Sequence, residues 1–462
     1  MARGTRRRSR GLAAGLRSVL VPGWGQIYVG RRGLGWTLVG VSAVLAGTGI
    51  VLVVVLGPTE LAARLTEPRI LFVVAVANAL VAVLRVLPAI HAWSVGGGRS
   101  AIVVILLAVV VLAPHAAVGY VGFETGRRLD AIFAAPTATT ATTTTTTSTT
   151  TTTSLHGSED PLTTTTSTTV PSTTTTTVQP EDRRLNVLLL GGDAGPGRSG
   201  LRTDSVIVAS VDQATGDAAL FSIPRNWGGL ELADGSVVPD RIVNEVYEWA
   251  RRHPDRFGGI DPGAAALVEV AEVLTGLDID YFALVDLTGF AAVVDALGGV
   301  TIDVPRSVYG PAYDPDTGGY TMIRIPRGEQ ELTGTEALAY VRERYQSSDY
   351  DRMRRQRCVL ASLAAEADLV SLLRGIRGIL DAMERHVTTD VPRDAVPLMI
   401  RTAAEIDHIH VIGFDNRWRQ GWDARGFAVP DPERVRETVA EALENPNSDE
   451  AFGIDDATTA CG

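Results

Sequence analysis

Apolar residues dominate the first part of the chain, where they form three long runs. The runs cover Leu34–Gly57, Ile70–Ile90 and Ala101–Gly122. Each is close to the roughly 20 residues that a helix needs to cross the core of a bilayer. A cleaved signal peptide is one short apolar run and does not match this pattern. The pattern therefore predicts an all-α transmembrane region of three helices over residues 34–122.

Beyond residue 182, short apolar stretches alternate with amphipathic ones. The stretch RLNVLLLGGD, which ends at Asp193, predicts a buried strand followed by a glycine turn. Ser205–Val211 and Asp217–Pro224 flank a turn and predict a hairpin. Asp261–Gly276 predicts a helix, with proline in its first turn and glycine after its end. The mixture predicts an α/β domain with a mixed central sheet flanked by helices.

The later part of the domain contains fewer clear signals. DRMRRQRCVLASLAAEADLV predicts one long helix over residues 351–370, preceded by a capped helix in TGTEALAYVRER. DHIHVIGFD predicts a late strand, and DPERVRETVAEAL predicts a closing helix. Each of these segments supports the same α/β class.

Threonine dominates Thr137–Val178, which carries almost no charge and few apolar residues. Such a tract buries too little surface to offset its ordering entropy, so it predicts a disordered spacer, with a β-structured threonine repeat as the alternative. The predicted organisation has five parts. They are a basic cytoplasmic N-terminus (1–33), the transmembrane helices (34–122), an extracellular linker (123–182), the α/β domain (183–444) and a disordered tail (445–462).

Basic residues predict the orientation in the membrane. Arg3–Arg10 is rich in arginine, and Arg31 and Arg32 precede the first apolar run, which places the N-terminus in the cytoplasm. Three crossings then put the α/β domain outside the cell, although Arg127 and Arg128 favour the opposite orientation. The chain is thus expected to be a multi-pass protein of the cell membrane with an extracytoplasmic domain.

Charge is concentrated in YVRERYQSSDYDRMRRQR, Tyr340–Arg357, although the chain as a whole has a net charge of -11 and no lysine. If the start of this segment is extended, Arg342 and Arg344 point to the same side. In the following helix, Arg352, Arg355 and Gln356 share one face. Guanidinium groups suit phosphate oxygens, because they offer paired donors and keep their charge. From the residues alone, a phosphate site and a salt-bridged helix surface both remain open.

Further candidates follow the predicted strands. Asp193 and Asp204 lie at neighbouring strand ends, where two carboxylates either hold Mg²⁺ together with substrate phosphates or cap turns. Arg225 follows a strand in SIPRNW, and Arg241 precedes a helix in DRIVNE. Each is either an anion ligand or a surface ion-pair partner. Asp349 begins the arginine-rich helix, where the helix dipole favours a negative charge.

Several other chemistries are excluded. The chain contains no GxxxxGK[ST] phosphate loop, no GxSxG elbow and no histidine pair with zinc-helix spacing. Its acidic balance and the lack of basic residues interleaved with aromatics argue against a nucleic-acid partner.

Of the two cysteines, Cys358 lies on a predicted helix and is expected to be a buried free thiol, with a disulfide to Cys461 as the alternative.

Seven motifs in series resemble the LytR-CpsA-Psr family. They are LLLGGD, RTDSVIVASVD, FSIPRN, DRIVNEVY, FALVDLTGFAAVVDALGGVTIDVP, LTGTEALAYVRER and DYDRMRRQR, and together they extend from about Arg183 to Leu443. Members of this family attach glycopolymers to peptidoglycan from a polyprenyl-pyrophosphate carrier. The resemblance therefore implies an extracytoplasmic phosphotransferase whose partners are the lipid-linked glycan, peptidoglycan and the membrane.

The resemblance also implies roles for individual residues. Asp193 and Asp204 would hold Mg²⁺ at the pyrophosphate. The residues expected to act on the reacting groups are Asp204, Arg225, Arg342, Arg344, Asp349 and Arg352. The additional residues expected to bind the substrate are Arg202, Arg241, Arg355 and Gln356. Asn226 departs from the family, which usually has aspartate after the IPR arginine, so no acid role is expected there.

Two other functions use the same residues. A Mg²⁺-dependent pyrophosphatase would employ water as the nucleophile, and a non-catalytic receptor would use the arginines as an anion site. The polymer itself is open among arabinogalactan, teichoic acid and capsule, and the exclusive use of arginine as the basic residue favours arabinogalactan. The residues that either line a lipid tunnel or form ordinary core are Leu267, Val270, Leu274, Phe282 and Phe290.

Overall fold

A computed structural model describes residues 2–133, 184–198, 200–315, 317–345, 347–366, 369–445 and 455–456. The threonine-rich part of the predicted linker and most of the predicted tail lie outside the described residues. The N-terminal region is helical, and two of its helices lie in residues 1–33, for which no helix was predicted. Its helices are α1 (Ala2–Leu20), α2 (Trp24–Tyr28), α3 (Arg32–Thr66), α4 (Pro68–Val95) and α5 (Ala101–Ile132).

Three of these helices, α3, α4 and α5, are long and apolar enough to cross a membrane, and they indicate a membrane anchor. Helix α3 is interrupted at Gly57, whose φ of 71° and ψ of 170° are not helical, immediately before Pro58. The helix is interrupted here because Pro58 cannot continue the helical hydrogen-bond pattern. The interruption lies at the predicted end of the first span. Helix α5 continues beyond Gly122, the predicted end of the third span, and ends at Ile132.

Seven strands of the α/β domain form one mixed sheet in the order β13-β10-β3-β2-β1-β4-β9. Strands β1, β2 and β3 are antiparallel neighbours, whereas β1 pairs with β4 in parallel. The sheet strands are β1 (Arg184–Gly192), β2 (Thr203–Asp212), β3 (Asp217–Ser222), β4 (Tyr281–Val285), β9 (Val387–Thr389), β10 (His408–Gly413) and β13 (Asp455–Asp456). The predicted hairpin of β2 and β3 is confirmed.

Smaller two-stranded ribbons and helices complete the domain. The ribbon strands are β5 (Val300–Val304) with β8 (Gly328–Leu332), β6 (Val308–Tyr313) with β7 (Tyr320–Ile325), and β11 (Arg419–Trp422) with β12 (Ala428–Pro430). The helices are α6 (Val243–Arg251), α7 (Pro262–Thr275), α8 (Leu287–Leu297), α9 (Gly334–Arg342), α10 (Asp349–Glu366), α11 (Leu369–His386), α12 (Val396–Ala404) and α13 (Pro432–Glu444). The predicted fold class is confirmed. The single helix predicted over residues 351–370 is wrong, because α10 and α11 are separate helices.

Two large apolar cores and a smaller cluster around Ile207 lie in the domain. The larger one joins the sheet to α6, α7 and α13, and the second joins α8, α9 and α10 to the β5–β8 ribbon. Four of the proposed tunnel residues, Leu267, Val270, Leu274 and Phe282, are buried in the larger core. For them the interpretation as ordinary core is confirmed.

The α/β domain packs directly on one end of the membrane helices. Leu129 and Phe133 of the α5 end pack with Leu380, Val391 and Val396 in a small apolar cluster. Around it, Arg401 donates to Glu60 at 2.6 Å, and Arg128 of α5 pairs with Asp381 of α11. The segment after the Gly57 break therefore forms part of the junction between anchor and domain.

The expectation of a free thiol at Cys358 is wrong. Cys358 is completely buried, as expected, but it is disulfide-bonded. The sequence contains one other cysteine, Cys461, which lies outside the described residues.

Candidate active site

The candidate site begins where β1 and β2 end beside each other. The pairing passes from Gly191 opposite Ser205 to Gly192 opposite Thr203, so Asp204 is an extra residue in β2. Such a β-bulge turns a side chain out of the regular strand pattern, and bulges are frequent next to active sites. Asp193 then opens a loop that closes where its N–H donates to the carbonyl of Arg202 at 2.9 Å.

Two carboxylates and two guanidinium groups form a ring of alternating charge, which we term the charge ring. Arg225 Nη1 donates to Asp204 Oδ1 at 2.5 Å, and Arg225 Nε lies 3.1 Å from both oxygens of Asp349. Arg352 Nη2 lies 3.1 Å from Asp349 Oδ1, and Arg352 Nη1 lies 3.8 Å from Asp204 Oδ2. Four residues predicted separately from the sequence are thus in direct contact.

Three elements of the fold position the charge ring. Asp204 lies on β2, and Arg225 follows β3 and Pro224, with its carbonyl accepting from Asn244 N at the start of α6 at 3.0 Å. Asp349 and Arg352 lie one turn apart at the start of α10. Because the sheet, α6 and α10 are all packed in the cores, the charged groups are held in a fixed arrangement.

Burial and neighbouring charge shift the pKa values within the charge ring. Burial alone would raise the pKa of Asp204, but the guanidinium groups of Arg225 and Arg352 outweigh it and hold that pKa below its usual range. Burial lowers the pKa of Arg352 to about 10, with a further contribution from the charge of Arg225. Asp204 is therefore ionised at neutral pH, and Arg352 keeps its proton.

Two guanidinium groups retain donors without partners. Nη1 of Arg342 and Nε of Arg352 are buried and make no hydrogen bond within the described part of the chain. Burial, together with the charge of Arg198, lowers the pKa of Arg342. A buried donor without a partner is costly, so these groups are suited to an anion that supplies the missing acceptors.

A largely apolar cavity of about 230 Å³ opens beside these donors. Asp204, Arg342 and Arg352 form part of its polar wall, and Gln356 also lines it while accepting from Ser205 Oγ at 2.9 Å. Its apolar wall comes from the sheet and from α8, α9 and α10. Phe290 belongs to this wall, so one of the five proposed tunnel residues does line a cavity.

Asp193 lies in the loop next to the charge ring. Its Oδ2 accepts from Arg198 Nη2 at 2.7 Å, and its Oδ1 accepts from the N–H of Arg202 at 2.7 Å. The charges of Asp193 and Asp204 both act on Arg342. The described residues contain no cluster of three or more acidic, histidine or cysteine ligands. Two carboxylates nevertheless match Mg²⁺, which often takes one or two carboxylates and completes its shell with water and substrate phosphates.

Other predicted residues lie further from the charge ring. Arg202 and Arg241 line a neighbouring cavity of about 400 Å³ along α6. Arg344 is exposed, but its charge acts on Arg352. Arg342 is in the last turn of α9, so the expectation that an extended backbone pairs it with Arg344 is wrong.

Arg355 does not reach the charge ring. Its Nε donates to the carbonyl of Tyr340 at 2.8 Å, and its Nη2 donates to the carbonyl of Glu343 and to Ser347 Oγ. The side chain is therefore buried beneath the connection between α9 and α10. Arg355 holds the segment that carries Arg342 and Arg344.

Arg198, Tyr313 and Tyr320 adjoin the site but were not predicted. Arg198 pairs with Asp193 and donates to Tyr320 Oη at 3.1 Å, and the guanidinium of Arg342 lies 5.6 Å from the ring centre of Tyr313. The only sequence signal for Arg198 is its place in the same glycine-rich loop as Asp193. The two tyrosines are brought there by the β6–β7 ribbon, which the sequence did not predict.

Comparison with known proteins identifies similar chains. The LytR_cpsA_psr family model matches residues 140–426. The polyisoprenyl-teichoic acid–peptidoglycan teichoic acid transferase TagU of Bacillus licheniformis is 31% identical over 211 residues, which are 45% of this chain and 60% of TagU. TagV of Bacillus subtilis, which has the same descriptive name, is 29% identical over 280 residues, 58% of this chain and 66% of TagV.

The matched region thus spans less than two thirds of the length of either curated relative. Among solved structures, the crystal structure of B. subtilis TagV is 25% identical, with a TM-score of 0.42, and the match covers 57% of this chain and 98% of that chain. TagT bound to LIIa-WTA is 20% identical, with a TM-score of 0.42, over 58% of this chain and 92% of that chain.

Proposed function

Because the chain belongs to the LytR_cpsA_psr family, whose model covers more than half of it, we propose that it is a membrane-anchored glycopolymer phosphotransferase. It moves a glycopolymer from a polyprenyl-pyrophosphate carrier to the C6 hydroxyl of muramic acid in peptidoglycan. The named TagU and TagV relatives support the transfer of a wall polymer to peptidoglycan. The product is a phosphodiester between the two polymers.

One observation carries this proposal. Arg342 and Arg352 present unsatisfied buried donors at the polar wall of an apolar cavity. A ligand that satisfies both parts has a multiply charged anionic head and an apolar tail. A polyprenyl pyrophosphate has this composition, whereas a free sugar phosphate lacks the tail and a neutral lipid lacks the head.

The reaction requires mainly positioning and charge neutralisation. The muramic acid hydroxyl oxygen attacks the glycan-side phosphorus, the bond from that phosphorus to the bridging oxygen breaks, and polyprenyl phosphate leaves. Arg225, Arg342 and Arg352 neutralise the phosphate oxygens. We assign acceptance of the hydroxyl proton to Asp349, because Asp204 is assigned to the metal.

The metal is part of the proposal. Asp193 and Asp204 would hold Mg²⁺, and the low pKa of Asp204 keeps that ligand ionised. Bound Mg²⁺ would supply further neutralisation of the pyrophosphate charge. Both carboxylates are paired with arginines in the described structure, so the arginines must transfer part of their contacts to the phosphate oxygens.

The polymer and the orientation belong to the same proposal. Teichoic acid is the polymer in the names of the relatives, and arabinogalactan remains the alternative that the arginine-only composition favours. Peptidoglycan as acceptor requires an extracytoplasmic α/β domain on a multi-pass anchor. Protease added to intact cells should then remove this domain, and a fully protected domain would contradict the orientation.

The test of the function follows both products of the reaction. The full chain in nanodiscs would be mixed with a polyprenyl-pyrophosphate glycan, Mg²⁺ and peptidoglycan fragments. The lipid phosphate that is released and the glycan that is captured on peptidoglycan would be measured separately. Arg342→Ala should lower capture about 10²-fold or more, because a group that neutralises the transition state is lost. Arg354→Ala is the matched control, since Arg354 pairs with Asp351 away from the cavity.

Each alternative has a distinct result. Release of lipid phosphate without capture of glycan would identify a pyrophosphatase. Lipid binding with neither release nor capture would identify a receptor. Equal activity of Arg342→Ala and Arg354→Ala would show that the arginines at the cavity are not the catalytic groups.

A further inference from the structure

A second apolar cavity lies in the anchor, between helices α4 and α5. Its volume is about 380 Å³, and it is located at the start of α4 and the end of α5. This is the end of the anchor on which the α/β domain packs. The cavity is separate from the candidate active site, and the proposed reaction assigns it no role.

Three glycines of α5 leave room for this cavity, which is tightest at Gly126, where a Cβ would lie 3.3 Å from Leu71. Gly119, Gly122 and Gly126 all line it and lie on one face of the helix. A Cβ on Gly122 would meet nothing within 4 Å, and a Cβ on Gly119 would meet only Asn78 at 3.9 Å. Leu71 and Phe72 of α4 form the opposite wall. The result is a glycine-lined cleft between α4 and α5.

A cation from the α/β domain closes the end of the glycine-lined cleft. Arg393 lines the cavity, and its side chain is only 12% exposed. Its Nε donates to Asp130 Oδ1 at 3.1 Å, but Nη1 and Nη2 are buried and make no hydrogen bond within the described part of the chain. Two donors of one guanidinium are therefore available to an oxyanion at the mouth of an apolar cleft.

The remaining charges at the mouth are paired with each other. Arg127 also lines the cavity, and it pairs with Glu124 at 2.7 Å and with Glu384 at 3.9 Å. Asp130 is 64% exposed, so water screens its charge. Arg393 is thus the cation at this mouth with donors to spare.

We propose that the glycine-lined cleft binds polyprenyl phosphate, with the chain along the glycines of α5 and the phosphate on Arg393. The inference rests on the proposed function, which releases this lipid. An apolar cleft with a cationic mouth matches a lipid that combines a hydrocarbon chain with a phosphate. A guanidinium with two free donors also suits the terminal phosphate of a monoester.

The cleft is connected to the active-site cavity through packed helices. Helix α5 packs on α11, and α11 packs on α8, which forms part of the apolar wall of the active-site cavity. His386 at the end of α11 also contacts Asp286 of that wall at 2.9 Å. The proposed lipid site thus lies at the junction where the domain that releases the lipid packs on the anchor.

Photocrosslinking of a photoreactive polyprenyl phosphate to the full chain tests the proposal. The protein would be held in nanodiscs of phosphatidylcholine. Arg393→Gln should weaken labelling about tenfold or more, since a hydrogen bond to a charged group is lost. Arg401→Gln is the control, because it removes another ion pair of the anchor–domain junction without lining the cleft.

A second variant tests the cleft itself. Gly122→Leu should fill the cleft and reduce labelling, whereas Gly49→Leu on α3, where a Cβ also meets nothing within 4 Å, should not. Unchanged labelling in both Arg393→Gln and Gly122→Leu would overturn the proposal. Equal competition by phosphatidylglycerol would also overturn it, because the site would then accept any anionic phospholipid.

A separate readout distinguishes this inference from the proposed function. Transfer from a short-chain, water-soluble donor should be the same in Arg393→Gln and in the unmodified chain. If the unmodified chain fails to transfer glycan but binds polyprenyl phosphate in an Arg393-dependent manner, the proposed function fails while the lipid site stands. If the chain transfers glycan but its labelling does not depend on Arg393, the lipid site fails while the proposed function stands.

Discussion

Arg352 shows how a single residue relates sequence, burial and chemistry in this molecule. It is 2% exposed and carries a positive charge, which pairs with Asp349 and Asp204. Its Nε–H donor has no acceptor within the described part of the chain. Removing an ion from water costs several kcal/mol, and ion pairing offsets this cost only where the geometry is good. The residue is better explained by ligand binding than by stability.

Arg352 also predicts a pH dependence. Its pKa in the folded chain is about 10, below the usual value, so the charge is present below pH 10 and is lost as the pH rises through that value. Binding of a polyprenyl diphosphate diester, which has no group that titrates there, should weaken over the same interval. Calorimetric titration of this lipid into the full chain without Mg²⁺, at pH values between 8 and 11, measures the loss of affinity.

The composition of the chain limits the other groups that titrate in this interval to the tyrosine phenols. Because the sequence contains no lysine, no ammonium side chain titrates near pH 10. Arg352→Gln should bind more weakly at pH 8 and should lose the step near pH 10. A step that persists in Arg352→Gln would assign the titration to another group.

The sequence predicted the individual residues of the site better than their arrangement. Asp204, Arg225, Asp349 and Arg352 were singled out by their positions at strand and helix ends, and the structure brings them into contact. Arg355 was grouped with Arg352 because both lie on one helix face. A long arginine side chain can turn toward the neighbouring backbone, and the spacing of residues along a helix does not show which way it turns.

At the scale of elements, local signals predicted the helices that have caps and missed those that depend on packing. Helix α7 has Asp261 as its N-cap and Gly276 after its end, and both were visible in the sequence. Helix α11 contains Gly375 and Gly378, which lower helix propensity. In the structure α8 approaches so closely that a Cβ on Gly375 would collide with the carbonyl oxygen of Ala296. The reason for these glycines is therefore tertiary.

The connection between α9 and α10 gives a prediction at the same scale. Arg355→Ala removes the donors to the carbonyls of Tyr340 and Glu343 and to Ser347. We expect it to lower the free energy of unfolding by about 2 kcal/mol and to raise KM more than it lowers kcat. Thermal unfolding of the full chain in detergent and steady-state transfer kinetics provide the two measurements.

A nearby arginine serves as the control for this change. Arg354→Ala alters an exposed pair in the same helix and should leave both quantities nearly unchanged. If Arg355→Ala lowers kcat as strongly as Arg352→Ala while leaving stability intact, Arg355 would belong to the catalytic groups after all.

The whole molecule is organised around the junction between the anchor and the α/β domain. The sequence predicted the two parts and a spacer between them, which implies a domain held away from the membrane. The structure instead packs α11 and α12 on the ends of α5 and α3. Sequence patterns did not show this contact, because it joins residues that lie far apart in the chain, such as Glu60 and Arg401.

A charge exchange tests the junction. Arg401→Glu places two carboxylates together and should increase hydrogen exchange in α12, and the addition of Glu60→Arg should restore protection. An exposed pair contributes only about 0.2–1 kcal/mol, so the repulsion in the single variant supplies most of the signal. Identical exchange in the single variant and the unmodified chain would show that the apolar cluster around Leu129 alone holds the junction.

The charge ring also bears on how the site would select its ligand from other anions in a phosphate-rich cell wall. Asp204 and Asp349 pair with Arg225 and Arg352, so the charge ring itself has no net charge. A free phosphate must displace these carboxylates to bind Arg225, and it gains nothing from the apolar cavity. A lipid-linked substrate gains the transfer of its chain from water or bilayer into that cavity, and it can open the ring. Under the proposed function, the internal carboxylates thus compete with free anions for the arginines, and an amphiphilic substrate overcomes this competition more readily than a polymer phosphate does.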